Sequence, residues 1–298
     1  MKKKALLFSV FPLVALAVGA AFLLHSVAES DAAGTDVVHL LAARTSIRGA
    51  STSGSGNMTY HSGPIMPGAM KAYAIFWEPT GSFVSSGYNS LILRYFGDVG
   101  SSGLYHNNTQ YKDSGNNIAS GASLGGSWVD TSAYPGTKLT NKQIKAEVTK
   151  AMQHNGWTAS LTHMFFVFTA KGENICYGTQ CSFKVFCAYH SYFNTNTIYA
   201  AMPYTGTSLA GCGVAKSPNT NIDADSTINV TSHEQMEAAT DPLINAWYDS
   251  SGAEIGDKCA WKFGSVATNG SNVTWNGHPY IVQKEWDNAK SGCVLTGP

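Results

Sequence analysis

Charge is what this chain has least of. Only 13% of its 298 residues are Asp, Glu, Lys or Arg, and the 19 basic and 19 acidic side chains cancel. No basic excess exists to neutralise phosphates, which excludes a nucleic-acid binder. No internal repeat divides the chain, so one domain is expected. No Cys follows the N-terminal apolar run closely, so nothing points to a lipid anchor. What is abundant is apolar residues, at 44%, together with 30 glycines and many Ser, Thr and Asn. That is the composition of a folded protein with a polar, weakly charged surface.

Lys2-Lys3-Lys4, an apolar run from Ala5 to Leu24, and Ser26-Val27-Ala28 have the three regions of a secretory signal peptide. Residues 1–28 are therefore expected to be a leader cleaved after Ala28. An uncleaved anchor is the competing reading, because the run is long enough to span a bilayer. Residues 29–62 lack sustained periodicity, and Arg48 to Asn57 is mostly Gly, Ser and Thr, as in a flexible linker or propeptide.

Six cysteines follow, at 176, 181, 187, 212, 259 and 293. In an exported chain an even number reads as disulfides. The expected pairs are Cys176 with Cys181, Cys187 with Cys212, and Cys259 with Cys293, one of about fifteen possible connectivities.

The globular domain is expected over 63–298. Met70 to Trp77 has the composition of a strand, and Tyr88 to Val99 has helical spacing. A second helix begins at the capping box Thr140-x-x-Gln143 and stops at Gly156. Thr162 to Thr169 is a continuous apolar run suited to the centre of a sheet. Val185 to Phe193 and Thr197 to Tyr204 read as an edge hairpin, and Asn276-Gly277 marks another between Ser271 and Trp286. The expected fold is α+β: a single domain with a twisted mixed β-sheet flanked by helices and stabilised by disulfides.

One segment reads as chemistry. A helix is expected from Ser226 to Thr240, capped by Asp225 and ended by Asp241-Pro242. It places His233 and Glu237 four apart on one face, where both can reach one ion, with Glu234 beside them. This is the layout of a zincin-like helix, in which the adjacent Glu takes a proton from the attacking water. The usual second histidine is missing, and Glu237 stands in its place. A carboxylate there weakens the ion as a Lewis acid; zinc is favoured, with manganese and calcium left open. The structural alternative is an amphipathic helix with a solvated acidic face.

A third ligand must come from outside the helix. Glu254 is the first candidate and Asp257 the second, or Asp257 orients a ligand. A rival reading makes Asp249, Ser251, Glu254 and Asp257 a structural calcium loop. Tyr248 is a candidate donor to a developing oxyanion, against simple packing. His190 is a candidate wall of the same cleft, against a solvated or core histidine.

The run Ser232-His233-Glu234-Gln235-Met236-Glu237-Ala238-Ala239-Thr240-Asp241-Pro242-Leu243, followed by Asn245-Ala246-Trp247-Tyr248 and Glu254-Ile255-Gly256-Asp257-Lys258-Cys259, resembles the Exordium or phosphate-induced protein family. Gly63-Pro64-Ile65-Met66 and Cys293-Val294 with Gly297-Pro298 are similar as well. The likeness runs from about Gly63 to Pro298 and matches His233, Glu234, Glu237, Glu254 and Asp257 position by position. It implies an extracellular or cell-wall location, and the Asn- and Ser-rich surface is similar to that of a secreted bacterial member.

Two functions are expected from different classes. One is a secreted, monomeric metallopeptidase-like hydrolase with metal ligands His233, Glu237, Glu254 and Asp257, base Glu234, and a peptide as partner. The other is a non-catalytic protein that binds a cell-wall polymer, with Trp128, Trp275 and Trp286 as a glycan surface and the acidic cluster structural. Neither has a membrane partner once the leader is removed.

Overall fold

The computed structural model describes residues 37–46 and 56–298. The expected leader lies outside the described residues, as do parts of the expected linker.

Six strands form one mixed sheet: β1 (Val38–Ala42), β2 (Met70–Trp77), β3 (Ala122–Asp130), β4 (His163–Thr169), β5 (Phe186–Phe193) and β6 (Thr197–Met202). Their order is β1-β5-β6-β4-β2-β3. β6, β4, β2 and β3 run parallel, whereas β5 is antiparallel to both β6 and β1.

β4 sits inside the sheet, as its unbroken apolar run requires, because successive side chains enter different layers and both layers are dry. Met164, Phe166 and Phe168 join one core; Phe165 and Val167 join the other. β2 and β6 alternate in the same way.

Three helices cover the sheet: α1 (Tyr88–Asp98), α2 (Asn141–Asn155) and α3 (Ile222–Thr240). α2 buries Ile144, Val148 and Ala151 against one face. Its ends follow the expected rules: Thr140 and Gln143 exchange the two bonds of a capping box, and Gly156 takes a φ of 67° at the stop. α1 and α3 cover the other face. The result is an α+β domain of three layers, tied by the three expected disulfides, Cys176–Cys181, Cys187–Cys212 and Cys259–Cys293.

α3 departs from expectation twice. It begins four residues early, because Asn221 caps it by accepting from the Ala224 N–H, while Asp225 is occupied with Ser217 and Asn219. It also has no solvated face, since every residue from Asp223 to Thr240 is buried. A helix rich in Ser, Thr, Asn, Gln and Glu thus runs through the middle of the molecule. Buried polar groups need internal partners. Several have them: Thr227 accepts from the Tyr88 hydroxyl, Gln235 from Tyr95, and Asn229 from the Gln283 N–H. Those that lack partners include atoms of His233, Glu234 and Glu237.

The sheet edge also differs. Within the expected linker, residues 38–42 form β1, which pairs along β5, so the β5–β6 hairpin is interior. Its apolar Leu41 enters the core beneath α3, and that burial holds the strand. Near the C-terminus, Val273–Trp275 and His278–Tyr280 pair across Asn276 and Gly277, whose φ angles of 50° and 82° suit the tight turn. The second arm stops at Tyr280 instead of reaching Trp286, and Glu285–Asp287 pairs with Gly292–Val294.

Candidate metal centre

Four segments meet beneath α3. His39 on β1 and His190 on β5 are register partners, so their side chains leave the same face of the sheet, the face α3 packs on. Their ring centroids are 5.9 Å apart. On α3 itself, His233 and Glu237 lie one turn apart and converge, with Nε2 2.9 Å from Oε1. Glu234 points to β5, its Oε2 3.3 Å from His190 Nδ1.

The chain after α3 doubles back through Gly256. Its backbone comes so close to the helix that a Cβ would lie 2.5 Å from His233 Nδ1 and 3.0 Å from Glu237 Oε1. This approach delivers Asp257, whose N–H donates to Glu237 Oε1 at 3.1 Å and whose Oδ1 is 3.7 Å from His233 Nε2. Glu254 faces the strands instead, with Oε2 2.9 Å from His39 Nδ1 and 3.7 Å from His190 Nε2. The carboxylate beside His233 is thus Asp257, while Glu254 lies against His39 and His190. The loop is pinned behind Asp257 by Cys259–Cys293 and by a buried ion pair between Lys258 and Asp249 at 2.8 Å.

Within this cluster the contact of His190 with Glu234 is aligned as a hydrogen bond. His39 Nδ1, His190 Nε2, both nitrogens of His233, Glu234 Oε1, Glu237 Oε2 and both oxygens of Glu254 are buried without a hydrogen-bond partner. Leaving one such group unsatisfied costs about 1–3 kcal/mol, and more when it is charged. Three sets of these atoms lie within 4.8 Å of one another: His233, Glu237 and Asp257; His39, Glu237 and Glu254; and His190, Glu234 and Glu237. Imidazoles mixed with carboxylates, at separations that ligands of one ion adopt, fit zinc or manganese. They fit calcium less well, since it takes oxygen. The rival calcium loop does not form: Asp249 is neutralised by Lys258 and accepts from Ser251, while Glu254 and Asp257 face the histidines.

The surrounding carboxylates favour the charged form of the three histidines. Burial opposes it, but Glu254 and its neighbours push His39 and His190 well above the usual imidazole range. For His233, burial is likewise outweighed by Glu237 and the other carboxylates, which push it up to about 10. Burial raises Glu234, Glu254 and Asp257, whereas Glu237 is held far down because His233 and the other two rings outweigh its burial. Burial also raises Glu285 well above the usual carboxylate range; neither of its oxygens has a partner.

Six of the seven residues singled out in the sequence, His190 included, are brought together. Tyr248 has another setting: its ring stacks on His61, with centroids 3.6 Å apart. His39 was not a candidate at all. The only signal it offered was its position within Val37 to Ala43, otherwise apolar and strand-like. Of the proposed glycan-facing aromatics, Trp275 is buried against Tyr280 and Tyr95. Trp128 is half-buried beside His154, and Trp286 lies under the Lys258 ammonium.

The sequence comparisons agree on a relationship. The family model for the phosphate-induced protein 1 conserved region matches residues 58–296. Protein EXORDIUM-like 3 of Arabidopsis thaliana is 25% identical, over 82% of this chain and 85% of its own length. Protein EXORDIUM-like 5 of the same plant is 23% identical, over 82% and 79%. No solved structure matches. The three disulfides fit an extracellular protein. Among the described residues no helix is long and apolar enough to cross a membrane.

Proposed function

The chain belongs to the phosphate-induced protein 1 family, and from the site it carries we propose a secreted, divalent-metal-dependent hydrolase of peptide or related amide bonds. The observation that supports this reading is the set of buried, unpartnered nitrogens and oxygens around His233 and Glu237. His233, Glu237 and Asp257 would hold the ion, zinc before manganese. When bound, it supplies Lewis-acid polarisation of the scissile carbonyl.

The remaining work falls to the chain's own groups. Glu234 has Oε1 free while His190 holds Oε2. Its pKa, raised by burial, suits a base that takes a proton from water and returns it to the leaving amine. Access runs past His39 and Asp257, whose side chains are 17% and 22% exposed. The test begins with metal content in the purified mature protein, beside His233→Ala and Glu237→Ala. Zinc or manganese should be retained by the wild type and lost from both variants. In a preparation shown to cleave a peptide, Glu234→Gln should slow turnover by roughly 10²–10⁴-fold. An unchanged rate would refute the base.

The closure of the site favours a second reading, a wall-associated protein whose ion is structural. His190, His233, Glu234 and Glu237 are all fully buried. Retention on insoluble polysaccharide that ignores chelator favours it; chelator-sensitive proteolysis favours the hydrolase.

A further inference from the structure

We propose that the centre holds two divalent ions, with the carboxylates of Glu237 and Asp257 bridging them. The inference rests on the metal-site reading above and deepens it.

Both carboxylates have their two oxygens turned toward different histidines. Glu237 Oε1 is 2.9 Å from His233 Nε2, and its Oε2 is 3.5 Å from His39 Nδ1. Asp257 repeats the pattern: Oδ1 lies 3.7 Å from His233 Nε2, and Oδ2 lies 3.4 Å from His39 Nδ1. One such carboxylate is a common accident of packing. Two in parallel, spanning the same pair of imidazoles, define two positions. His233 Nε2, Glu237 Oε1 and Asp257 Oδ1 surround the first. His39 Nδ1, Glu254 Oε2, Glu237 Oε2 and Asp257 Oδ2 surround the second. Ions sharing a site in this way sit about 3.5–4 Å apart, which a bridging carboxylate spans.

The tautomer of His39 is an independent argument. Its Nε2 lies 3.1 Å from the Gly252 carbonyl oxygen, which can only accept, so Nε2 carries the hydrogen. In the neutral ring Nδ1 then presents a lone pair to three carboxylates. A ligating histidine is held in this way, one ring nitrogen donating to a carbonyl while the other faces the ion. A proton on Nδ1 would serve one oxygen and leave others among Glu254 Oε1, Glu254 Oε2 and Glu237 Oε2, all buried, without a partner. A cation serves them together.

Charge gives the same stoichiometry. Glu234, Glu237, Glu254 and Asp257 bring four negative charges when ionised, and two divalent ions cancel them with all three histidines neutral. One ion leaves two negative charges that His39 and His190 must balance as imidazolium ions, and His39 Nδ1 then turns a proton rather than a lone pair towards its carboxylates.

The decisive measurement uses the mature protein, stripped with chelator, reloaded with Mn²⁺ to saturation and desalted. Two manganese per chain are expected, with the exchange-coupled electron paramagnetic resonance spectrum of ions sharing bridges. Glu254→Gln should hold one manganese and show an isolated six-line signal; His39→Ala should do the same. A single manganese in the wild type, unaltered by Glu254→Gln, would overturn the second position and leave the hydrolase ion standing. No uptake by a folded wild type would overturn both readings. Two ions without magnetic coupling would refute the bridges. The wild-type spectrum and stoichiometry decide the matter even where a variant fails to fold.

Discussion

Gly256→Ala isolates the contact on which the centre depends. Gly256 has φ −76° and ψ −44°, an ordinary right-handed conformation that alanine adopts freely. If space were available, the substitution would stabilise the fold by about 0.4–1 kcal/mol through the unfolded chain. Space is what is missing. The new Cβ would stand 2.5 Å from His233 Nδ1 and 2.7 Å from Cε1, where ordinary contact begins at 3.4 Å, so ring and loop must part by nearly an ångström. Neither yields easily, because His233 is fully buried on α3 and the loop is clamped by Cys259–Cys293. Overpacking of this kind costs about 1–3 kcal/mol. The sign of the effect therefore reverses. Chemical denaturation of the metal-free protein should show the loss, and metal titration should show weaker uptake. Gly97→Ala, at an exposed helical site with nothing within 4 Å of the added Cβ, is the control and should stabilise slightly. A Gly256→Ala protein as stable as the control, with undiminished metal affinity, would refute the close approach and with it the placement of Asp257.

Two further predictions concern the scaffold. Lys258 is buried, paired with Asp249 at 2.8 Å and set 4.4 Å over the Trp286 ring, so Lys258→Met leaves a buried carboxylate unpaired. It should cost about 3–5 kcal/mol in denaturant unfolding, and Asp249→Asn added to it should recover part of the loss. On the opposite face of the sheet, burial and then Asp130 push Glu147 up to about 8. A carboxyl raised in this way contributes stability that is complete below the unfolded value of about 4.5 and is lost as pH rises through 8. Wild-type melting temperature should therefore fall between pH 5 and 9, and Glu147→Gln should flatten that fall; an identical slope in the variant would refute the assignment.

What the sequence disclosed is what local geometry controls. Residues four apart on a helix share a face, so His233 and Glu237 were legible. A capping box, an Asn-Gly turn and an apolar run were equally so, since each depends on a handful of adjacent residues. His39 was not legible, because its role depends on β1 pairing with β5 some 150 residues later. That register is set by Leu41 reaching the core under α3, a tertiary fact. The placement of Glu254 beside His39 and of Asp257 beside His233 has the same origin. Both lie in a short acidic loop, and only the path past Gly256 decides which carboxylate meets which ring. Helix α3 misled in another way: polar composition suggested solvent, whereas the polar groups are buried inside the protein.

The position of β1 bears on where the domain is cut for laboratory use. The family match begins at residue 58, beyond His39. A recombinant fragment trimmed to that boundary would keep all three disulfides and most of the fold, and would pass as intact by mass and helicity. It would nevertheless expose β5 as a bare edge, with a row of unpaired amides open to intermolecular pairing. It would also open one wall of the acidic chamber to water. Failed purification of such a fragment would then report the trimming rather than the protein.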